Sequence, residues 1–329
     1  MKYYLGIDTS NYTTSAAACS EEGEVIAMER RLLPVAQGGC GLRQSDAVFA
    51  HTKQLGEVVS RLRAALPEDA EPIAVGCSTR PRDVDGSYMP CFLVGRCNAM
   101  TLSAAASVPM YEFSHQAGHV EAAIYGSGAE QLHGRRFYAF HVSGGTTELL
   151  EVSEDGTIEC IGGSADINAG QLIDRVGVML GMHFPCGPEL EALALRGIAS
   201  GVSLPERPRV CVRGLECNLS GFENKARHML DIGEGAESVA MYTLEAVALS
   251  LSGLRDELLR QRGAAPVLFS GGVMSCSLIK PRLAGDGIFF APPRFSADNA
   301  AGIALLCRAR HIGGEIHLRD NGIRRTAAP

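Results

Sequence analysis

The sequence predicts an α/β fold in which one kind of lobe occurs twice, and two observations carry that prediction. A strand–turn–strand phrase appears at residues 4–26 and again at 140–158, with Thr13-Thr14 corresponding to Thr146-Thr147. Each copy is followed by alternating helical and strand patterns. A chain of 329 residues has room for two domains, each with its own core. We therefore expect a duplicated lobe that grips a ligand from both sides.

The elements follow from local periodicity. The first lobe is predicted to have three strands over 2–30, a helix 45–66, a strand 73–77, a loop 78–90, a helix 91–107, a strand 108–113 and a helix 115–125. The second is predicted to have strands 137–143, 147–152 and 157–161, a helix from 168, a short helix after 188, a long helix 237–262, strands 266–270 and 287–290, and a last helix near 298.

This order describes tandem ribonuclease-H-like lobes with mixed sheets flanked by helices, the architecture of actin, Hsp70 and sugar kinases (ASKHA). We place an N-terminal lobe at 1–130, completed by the last helix at 298–312. A C-terminal lobe with the nucleotide loops is placed at 131–297, followed by a tail at 313–329.

Composition narrows the function classes. No apolar run approaches the roughly 20 residues that span a bilayer, and the first strand begins at once, so neither a membrane partner nor a signal peptide is expected. Eleven cysteines without a Cys-x-x-Cys pair indicate a cytoplasmic protein with reduced thiols. The net charge of −7 argues against broad nucleic-acid binding. The arginines at 80/82, 135/136 and 319/324/325 are interpreted as solvated surface.

Two turns rich in small residues are the first candidates for chemistry. Asp8-Thr-Ser10 and Ser143-Gly-Gly145 leave backbone N–H groups free to face a phosphate. Ordinary hairpins use the same residue types, but the repetition favours phosphate or nucleotide binding. Gly271-Gly272, where a strand runs into a helix start, is a weaker candidate for close approach of a ligand.

A histidine pair is the second candidate. His115 and His119 share one helical face and can bind one metal ion together. Gln116 stands where a zinc peptidase of the His-Glu-x-x-His type needs its general base, so the sequence speaks against that chemistry. Asp298 fits either a helix N-cap or a third ligand, and two histidines with one carboxylate leave open positions on a metal such as iron.

The ordered set of blocks resembles the TsaD/Gcp family, tRNA adenosine threonylcarbamoyltransferases formerly described as O-sialoglycoprotein endopeptidases. The resemblance covers nearly the whole chain and rests on residues 142–146, 166–175, 185–191, 219–222, 271–273 and 292–301. It implies metal ligands at His115, His119 and Asp298. It implies nucleotide or adenylate contacts at Val142, Ser143, Gly144, Gly145, Thr146, Asp174, Gly187, Glu191, Gly271, Gly272 and Cys276. It implies a catalytic first loop that contains Asp8, Ser10 and Asn11.

The implied activity is transfer of a threonylcarbamoyl group from its adenylate to the exocyclic amine of an adenosine in tRNA. The implied cofactor is one divalent metal, iron(II) or zinc, with an adenine nucleotide or adenylate as substrate. The metal would polarise the acyl group, and loop N–H groups would stabilise the departing phosphate. The implied partners are tRNA, a paralogous actin-like subunit and an ATPase, docked on N-lobe helices.

Departures from the family pattern keep alternatives open. Residues 11–14 are Asn-Tyr-Thr-Thr where the family has Cys-Asp-Glu-Thr, Thr146 replaces a histidine, Cys276 an asparagine, Glu223 a lysine and Ile167 an acidic residue. The fold and metal site are therefore expected to be retained while the acceptor side is rebuilt. The alternatives are a divergent paralog that carbamoylates another acceptor or hydrolyses nucleotide, and a non-catalytic nucleotide-binding subunit.

Overall fold

A computed structural model describes residues 1–10, 12–34, 42–297 and 299–313. The strands are β1 Lys2–Ser10, β2 Thr13–Ser20, β3 Val25–Leu32, β4 Glu71–Arg80, β5 Met110–Ser114, β6 Phe137–Val142, β7 Thr147–Val152, β8 Ile158–Ser164, β9 Val212–Arg213, β10 Glu216–Cys217, β11 Val267–Ser270 and β12 Ile288–Phe290. The helices are α1 Gln44–Ala64, α2 Phe92–Ala106, α3 His115–Ser127, α4 Ala169–Met179, α5 Gly187–Ala199, α6 Ser220–Asp231, α7 Ala236–Arg262, α8 Lys280–Leu283, α9 Pro293–Ser296 and α10 Ala301–His311.

The described residues form two compact units. Unit 1 comprises those of Met1–Arg135, Ser153–Ile158 and Asp298–Pro329, and unit 2 comprises Arg136–Val152 and Glu159–Ala297. No described helix has both the length and the apolar character that crossing a membrane requires.

Unit 1 is built on a five-stranded mixed sheet in the order β3-β2-β1-β4-β5. β1 pairs antiparallel with β2 and parallel with β4, because the β1–β2 link is a tight turn whereas α1 lies between β3 and β4 in the chain. Ile7, Leu55 and Val75 meet in its apolar core with almost no exposed surface. Full burial of such a side chain contributes about 1.5–3 kcal/mol to stability.

Helix α10 closes unit 1, far in sequence from the strands that it covers. It packs against α3 and β1. Gly302 permits that approach: a Cβ there would lie 1.8 Å from the carbonyl oxygen of Gly118. The last described helix is therefore packed into unit 1.

Unit 2 repeats the same topology. Its seven-stranded sheet has the order β12-β11-β6-β7-β8-β10-β9. The segment β8-β7-β6-β11-β12 corresponds strand for strand to β3-β2-β1-β4-β5, so the predicted duplicated α/β architecture with mixed sheets is confirmed.

Three elements of unit 2 between residues 203 and 231 were absent from the sequence prediction, as were the short helices α8 and α9. The irregular stretch 203–218 contains the short strands β9 and β10, which extend the sheet beyond β8. Helix α6 follows directly and buries Phe222, Ala226 and Met229, which are spaced by four and three residues. A helix this short, with polar residues on its other face, gives only a weak periodic signal before its packing partner is known.

Candidate functional site

Asp8 lies near the carboxyl end of β1, beside β4. The parallel register sets Ile7 opposite Cys77, which brings Ser78 next to Asp8. The Ser78 hydroxyl donates a hydrogen bond to Asp8 Oδ1 at 2.5 Å, and both side chains are fully buried. A buried carboxylate is costly unless donors satisfy it, so the sheet itself supplies part of the support for this charge.

The histidine pair lies in the first turns of α3. Ser114 caps the helix, since its hydroxyl accepts a hydrogen bond from the Ala117 N–H at 3.1 Å. His115 and His119 then fall one turn apart on the same face. The end of β5 and this cap fix where the two imidazoles lie.

Asp8 and the two histidines form a chain of contacts. His115 Nδ1 lies 3.0 Å from Asp8 Oδ1, and His115 Nε2 lies 2.8 Å from His119 Nε2. The centroids of the two rings are 4.2 Å apart, and the ring planes are nearly perpendicular. An imidazole that donates through Nδ1 to a carboxylate presents the Nε2 lone pair to a ligand. Asp8 thus orients His115.

These residues fit a metal ion. Two facing Nε2 atoms are ligands that iron(II) or zinc accepts, and the carboxylate behind His115 is the outer partner such ligands use. The third predicted ligand, Asp298, lies outside the described residues. Over 1–10, 12–34, 42–297 and 299–313, no cluster of three or more His, Cys, Asp or Glu side chains that could hold a metal ion is present. His115 and His119 lie within the described residues, and their role as metal ligands stays a prediction.

The predicted catalytic loop continues from β1. Ser10 is buried, and its hydroxyl has no hydrogen-bond partner among the described residues. Asn11, the next predicted catalytic residue, lies outside the described residues. The roles of Asp8, Ser10 and Asn11 in catalysis stay predictions.

The buried side chain of His51 on α1 contacts Thr14, the second residue of β2. His51 Nδ1 lies 2.8 Å from Thr14 Oγ1, and that hydroxyl donates to Gln54 Oε1 at 3.1 Å. The Gln54 amide in turn donates to the carbonyl of Leu32. Burial lowers the pKa of His51, while the Asp8 charge acts in the opposite direction, so the ring is neutral at pH 7.

Sequence reasoning missed both Ser78 and His51. Ser78 was assigned to a loop, yet a hydroxyl directly after a buried strand that neighbours β1 is a signal that could have found it. His51 carries a fainter signal, because it falls on the buried face of α1 among the apolar positions Ala47, Leu55 and Val58.

The predicted phosphate loop of unit 2 connects β6 to β7. The Ser143 N–H donates to the Thr146 carbonyl at 2.7 Å, which closes the turn, and the Gly145 N–H donates to the Ser143 hydroxyl at 3.3 Å. Gly144 and Gly145 are exposed at its tip. Their backbone is accessible to a ligand at the carboxyl end of β6, the edge where α/β sheets bind ligands.

Helix α4 begins directly against this loop. Asn168 caps the helix and donates to the Gly145 carbonyl at 2.8 Å. A Cβ on Gly170 would lie 2.5 Å from Gly144 Cα, so the helix reaches the loop only with glycine at that position. The positive end of the α4 dipole therefore lies at the loop, where an anion is favoured.

Asp174 lies one turn further along α4, near the same loop. Its Oδ2 lies 3.9 Å from the point that a Cβ would occupy if residue 144 were not glycine. Its Oδ1 accepts a hydrogen bond from the Cys186 N–H at 2.8 Å. Burial raises the pKa of Asp174, and the hydrogen bond from Cys186 partly opposes that rise. Gly187, the next predicted contact, begins α5 directly after Cys186.

The Gly271-Gly272 turn lies beside the loop through strand pairing. β11 pairs parallel with β6, and Gly271 follows it with φ of +99°. A Cβ on Gly271 would lie 2.1 Å from the Val142 carbonyl oxygen, so the turn requires glycine. Gly272 is exposed.

Glu191 and Cys276 complete the predicted nucleotide set. Glu191 Oε1 accepts the Ser277 N–H at 2.7 Å and the Ser277 hydroxyl at 2.5 Å, which ties α5 to the segment after β11. Burial raises the pKa of Cys276 to about 11, so its thiol is neutral at pH 7. A neutral thiol can donate only a weak hydrogen bond, unlike the asparagine of the family pattern.

The departure at residue 223 has a structural explanation. Glu223 pairs with Arg175 at 2.9 Å and with Arg227 at 3.4 Å. The acidic residue thus joins α4 to α6 in unit 2. Ile167 is half-buried and packs against the apolar core of unit 2, which explains an apolar residue at that position. Nothing in the structure explains Thr146 in the same way.

Comparisons with known proteins agree with this arrangement. A family model described as TsaD, tRNA N6-adenosine threonylcarbamoyltransferase, matches residues 41–305. A protein of that name from Thermus thermophilus is 30% identical over 317 residues, 95% of this chain and 94% of the relative. One from Methanopyrus kandleri is 26% identical over 310 residues, 91% of this chain and 85% of the relative.

Solved structures confirm the fold. HypF from T. kodakarensis superposes with a TM-score of 0.61 at 14% identity, over 95% of this chain and 48% of HypF. The activator of the 2-hydroxyisocaproyl-CoA dehydratase from Clostridium difficile superposes with a TM-score of 0.53 at 14% identity, over 98% of this chain and 100% of the activator. At such identities the similarity shows the fold alone.

Proposed function

Because the chain belongs to the TsaD family of tRNA N6-adenosine threonylcarbamoyltransferases, a family of transferase enzymes, we propose that it transfers a threonylcarbamoyl group from the adenylate to N6 of an adenosine in tRNA. The contact chain from Asp8 through His115 to His119 is the observation that carries this proposal. It is a prepared ligand pair at the position where the family resemblance expects the metal.

The reaction joins the adenosine amine to the carbamoyl carbon. The bond from that carbon to the phosphate oxygen breaks, AMP leaves, and the amine loses one proton. A divalent metal, when bound by His115, His119 and Asp298, would supply Lewis-acid polarisation. Asp8 keeps the His115 ring in the orientation and tautomer that a ligand needs.

Unit 2 supplies the nucleotide-binding groups. The exposed backbone at Gly144 and Gly145, backed by the amino end of α4, favours the phosphate of the adenylate. Asp174, whose pKa burial raises, has its Oδ2 3.9 Å from the position that a Cβ on Gly144 would take. Gly187, Glu191, Gly272 and Cys276 are the proposed contacts for the rest of the adenylate.

A second acceptor is the alternative. Tyr12 and Thr13 occupy the positions where the family pattern has its two acidic residues, and Thr13 is buried. Transfer of a carbamoyl-type group to a different acceptor would need no carboxylate there. The rebuilt first loop is the observation that favours this alternative.

The setting of the reaction follows the family. We propose a cytoplasmic protein that works with a paralogous actin-like subunit and an ATPase subunit. All ten described cysteines are unpaired, which supports a reducing compartment.

The test is formation of the modified nucleoside by the purified chain. Threonylcarbamoyl-adenylate and unmodified tRNA are incubated with the protein and iron(II) or zinc, with and without the partner subunits of a characterised relative, and digested tRNA is analysed by mass spectrometry. We expect N6-threonylcarbamoyladenosine with the chain and none with His115→Ala. Absence of product under both conditions contradicts the proposal.

Calorimetry and nucleotide turnover test the alternatives. Binding of metal and of an adenine nucleotide without tRNA modification would favour a second acceptor or a non-catalytic subunit, and nucleotide turnover in the same preparation would exclude the non-catalytic subunit. His133→Ala is the matched control, because His133 pairs with Glu121 elsewhere in unit 1 and should leave metal binding unchanged.

A further inference from the structure

A cavity in unit 2 lies at the start of α6 and beside α7. Its volume is about 320 Å³, at the lower end of the range for small-molecule sites. Among the residues that line it are Glu206, Arg207, Arg209, Phe222, Lys225 and Tyr242. None of the residues assigned above to the metal or to the adenylate lines this cavity.

The charge of the cavity is opposite to that of the chain. Three cationic side chains and one carboxylate line it, whereas the whole protein carries a net charge of −7. Lys225 is already paired with Glu206. Arg207 and Arg209 are exposed, and neither forms an ion pair with any described residue. Two guanidinium groups are thus available to an anion.

The wall of the cavity is aromatic. Phe222 and Tyr242 contact each other with ring centroids 6.3 Å apart, and they are 8% and 4% exposed. Asn218 is exposed and also lines the cavity, and its side-chain amide can both donate and accept hydrogen bonds. Paired guanidinium groups beside an apolar wall and an amide suit a ligand that has both a phosphate and a flat base.

We propose that this cavity, named here the arginine pocket, binds one nucleotide unit, with its phosphate on Arg207 and Arg209 and its base against the aromatic wall. The nucleotide can be free or part of an RNA strand. The proposal is independent of the transfer reaction, because binding here needs neither the metal nor the phosphate loop.

Cys211 provides a local probe of occupancy. It is exposed and lines the arginine pocket, while Cys97 and Cys160 are exposed elsewhere. The full chain is treated with iodoacetamide in the presence of a single-stranded RNA octamer or of UMP, and alkylation at each thiol is followed by mass spectrometry. We expect about tenfold slower alkylation of Cys211 near saturation and unchanged rates at Cys97 and Cys160.

A double variant tests the role of the guanidinium groups. Arg207→Ala with Arg209→Ala should weaken protection of Cys211 about tenfold or more, because two charge-assisted contacts are lost. Arg30→Ala with Arg135→Ala removes two exposed charges from unit 1 and should keep the protection. For each variant, the alkylation rate of Cys211 with the probe is divided by its rate without the probe, so a change in the intrinsic reactivity of the thiol cancels.

The two probes distinguish the source of the nucleotide. Protection by the octamer alone identifies an RNA strand, and protection by UMP as well identifies a free nucleotide. An unchanged Cys211 rate with both probes, or protection that survives in the Arg207/Arg209 variant, overturns the proposal. If Cys211 is protected but the same preparation forms no modified tRNA, the arginine pocket is supported and only the proposed transfer function is contradicted.

Discussion

Asp8 shows how one residue links the sheet to the histidine pair. Its carboxylate accepts a hydrogen bond from the hydroxyl of Ser78 on β4 and contacts the ring of His115 on α3. It is fully buried, so an effect on a bound metal would have to pass through the imidazole. We therefore propose a positioning role for Asp8, and its predicted catalytic role stays a prediction.

We expect Asp8→Asn to weaken metal binding about 10–100-fold, the usual cost of losing an outer partner of a ligating histidine. Calorimetric titration with zinc measures the affinity. Glu121→Gln is the matched control, because it neutralises the carboxylate beside His133 without touching His115. Equal affinities for Asp8→Asn and the wild type would contradict the positioning role.

Buried hydrogen bonds connect the residues that follow β1 to helix α1. Thr14 belongs to a buried network with His51 and Gln54, and this network holds the loop against α1. The neutral His51 ring suits that position, because a charged ring would be costly at full burial.

At the scale of elements, α6 depends on a residue outside the helix. The Asp166 carboxylate accepts hydrogen bonds from the backbone N–H groups of Leu219 and Ser220 and from the Ser220 hydroxyl. Burial alone would raise the pKa of Asp166, but these hydrogen bonds outweigh it and lower the pKa. The carboxylate thus satisfies the free donors at the amino end of the helix.

We expect Asp166→Asn to lower the free energy of unfolding by about 1 kcal/mol at pH 7, as for a lost helix cap in contact with solvent. A lowered folded pKa means that the stabilisation is present above the unfolded pKa of about 3.9 and is lost as the pH falls below it. Urea unfolding of both proteins at pH 7 and at pH 3 measures this. A difference that grew on acidification would contradict the assignment.

At the scale of the whole molecule, each unit draws on distant parts of the chain. Unit 1 needs α10, whose Gly302 lies against Gly118 of α3. Unit 2 needs β11, which pairs with β6 across a long stretch of sequence. Neither unit corresponds to one continuous half of the chain.

Gly302→Ala should therefore destabilise unit 1 by about 1–3 kcal/mol, the usual cost of overpacking. Hydrogen exchange should speed up in β1 and β4 and stay unchanged in β6 and β11. Gly56→Ala is the control, because nothing lies within 4 Å of a Cβ there and alanine should stabilise α1 by about 0.5–1 kcal/mol. Equal acceleration in both sheets would show that α10 does not belong to unit 1 alone.

The sequence by itself determined the repeated strand–turn–strand phrase, the order of the longer elements except α6, and the family, because these depend on local periodicity and on motifs that are contiguous in the chain. Only the tertiary structure decided that Ser78 and His115 both meet Asp8, that His51 supports the first loop, and that Arg207 and Arg209 border an aromatic cavity. Those contacts join residues far apart in sequence, and their geometry is set by strand register and helix packing.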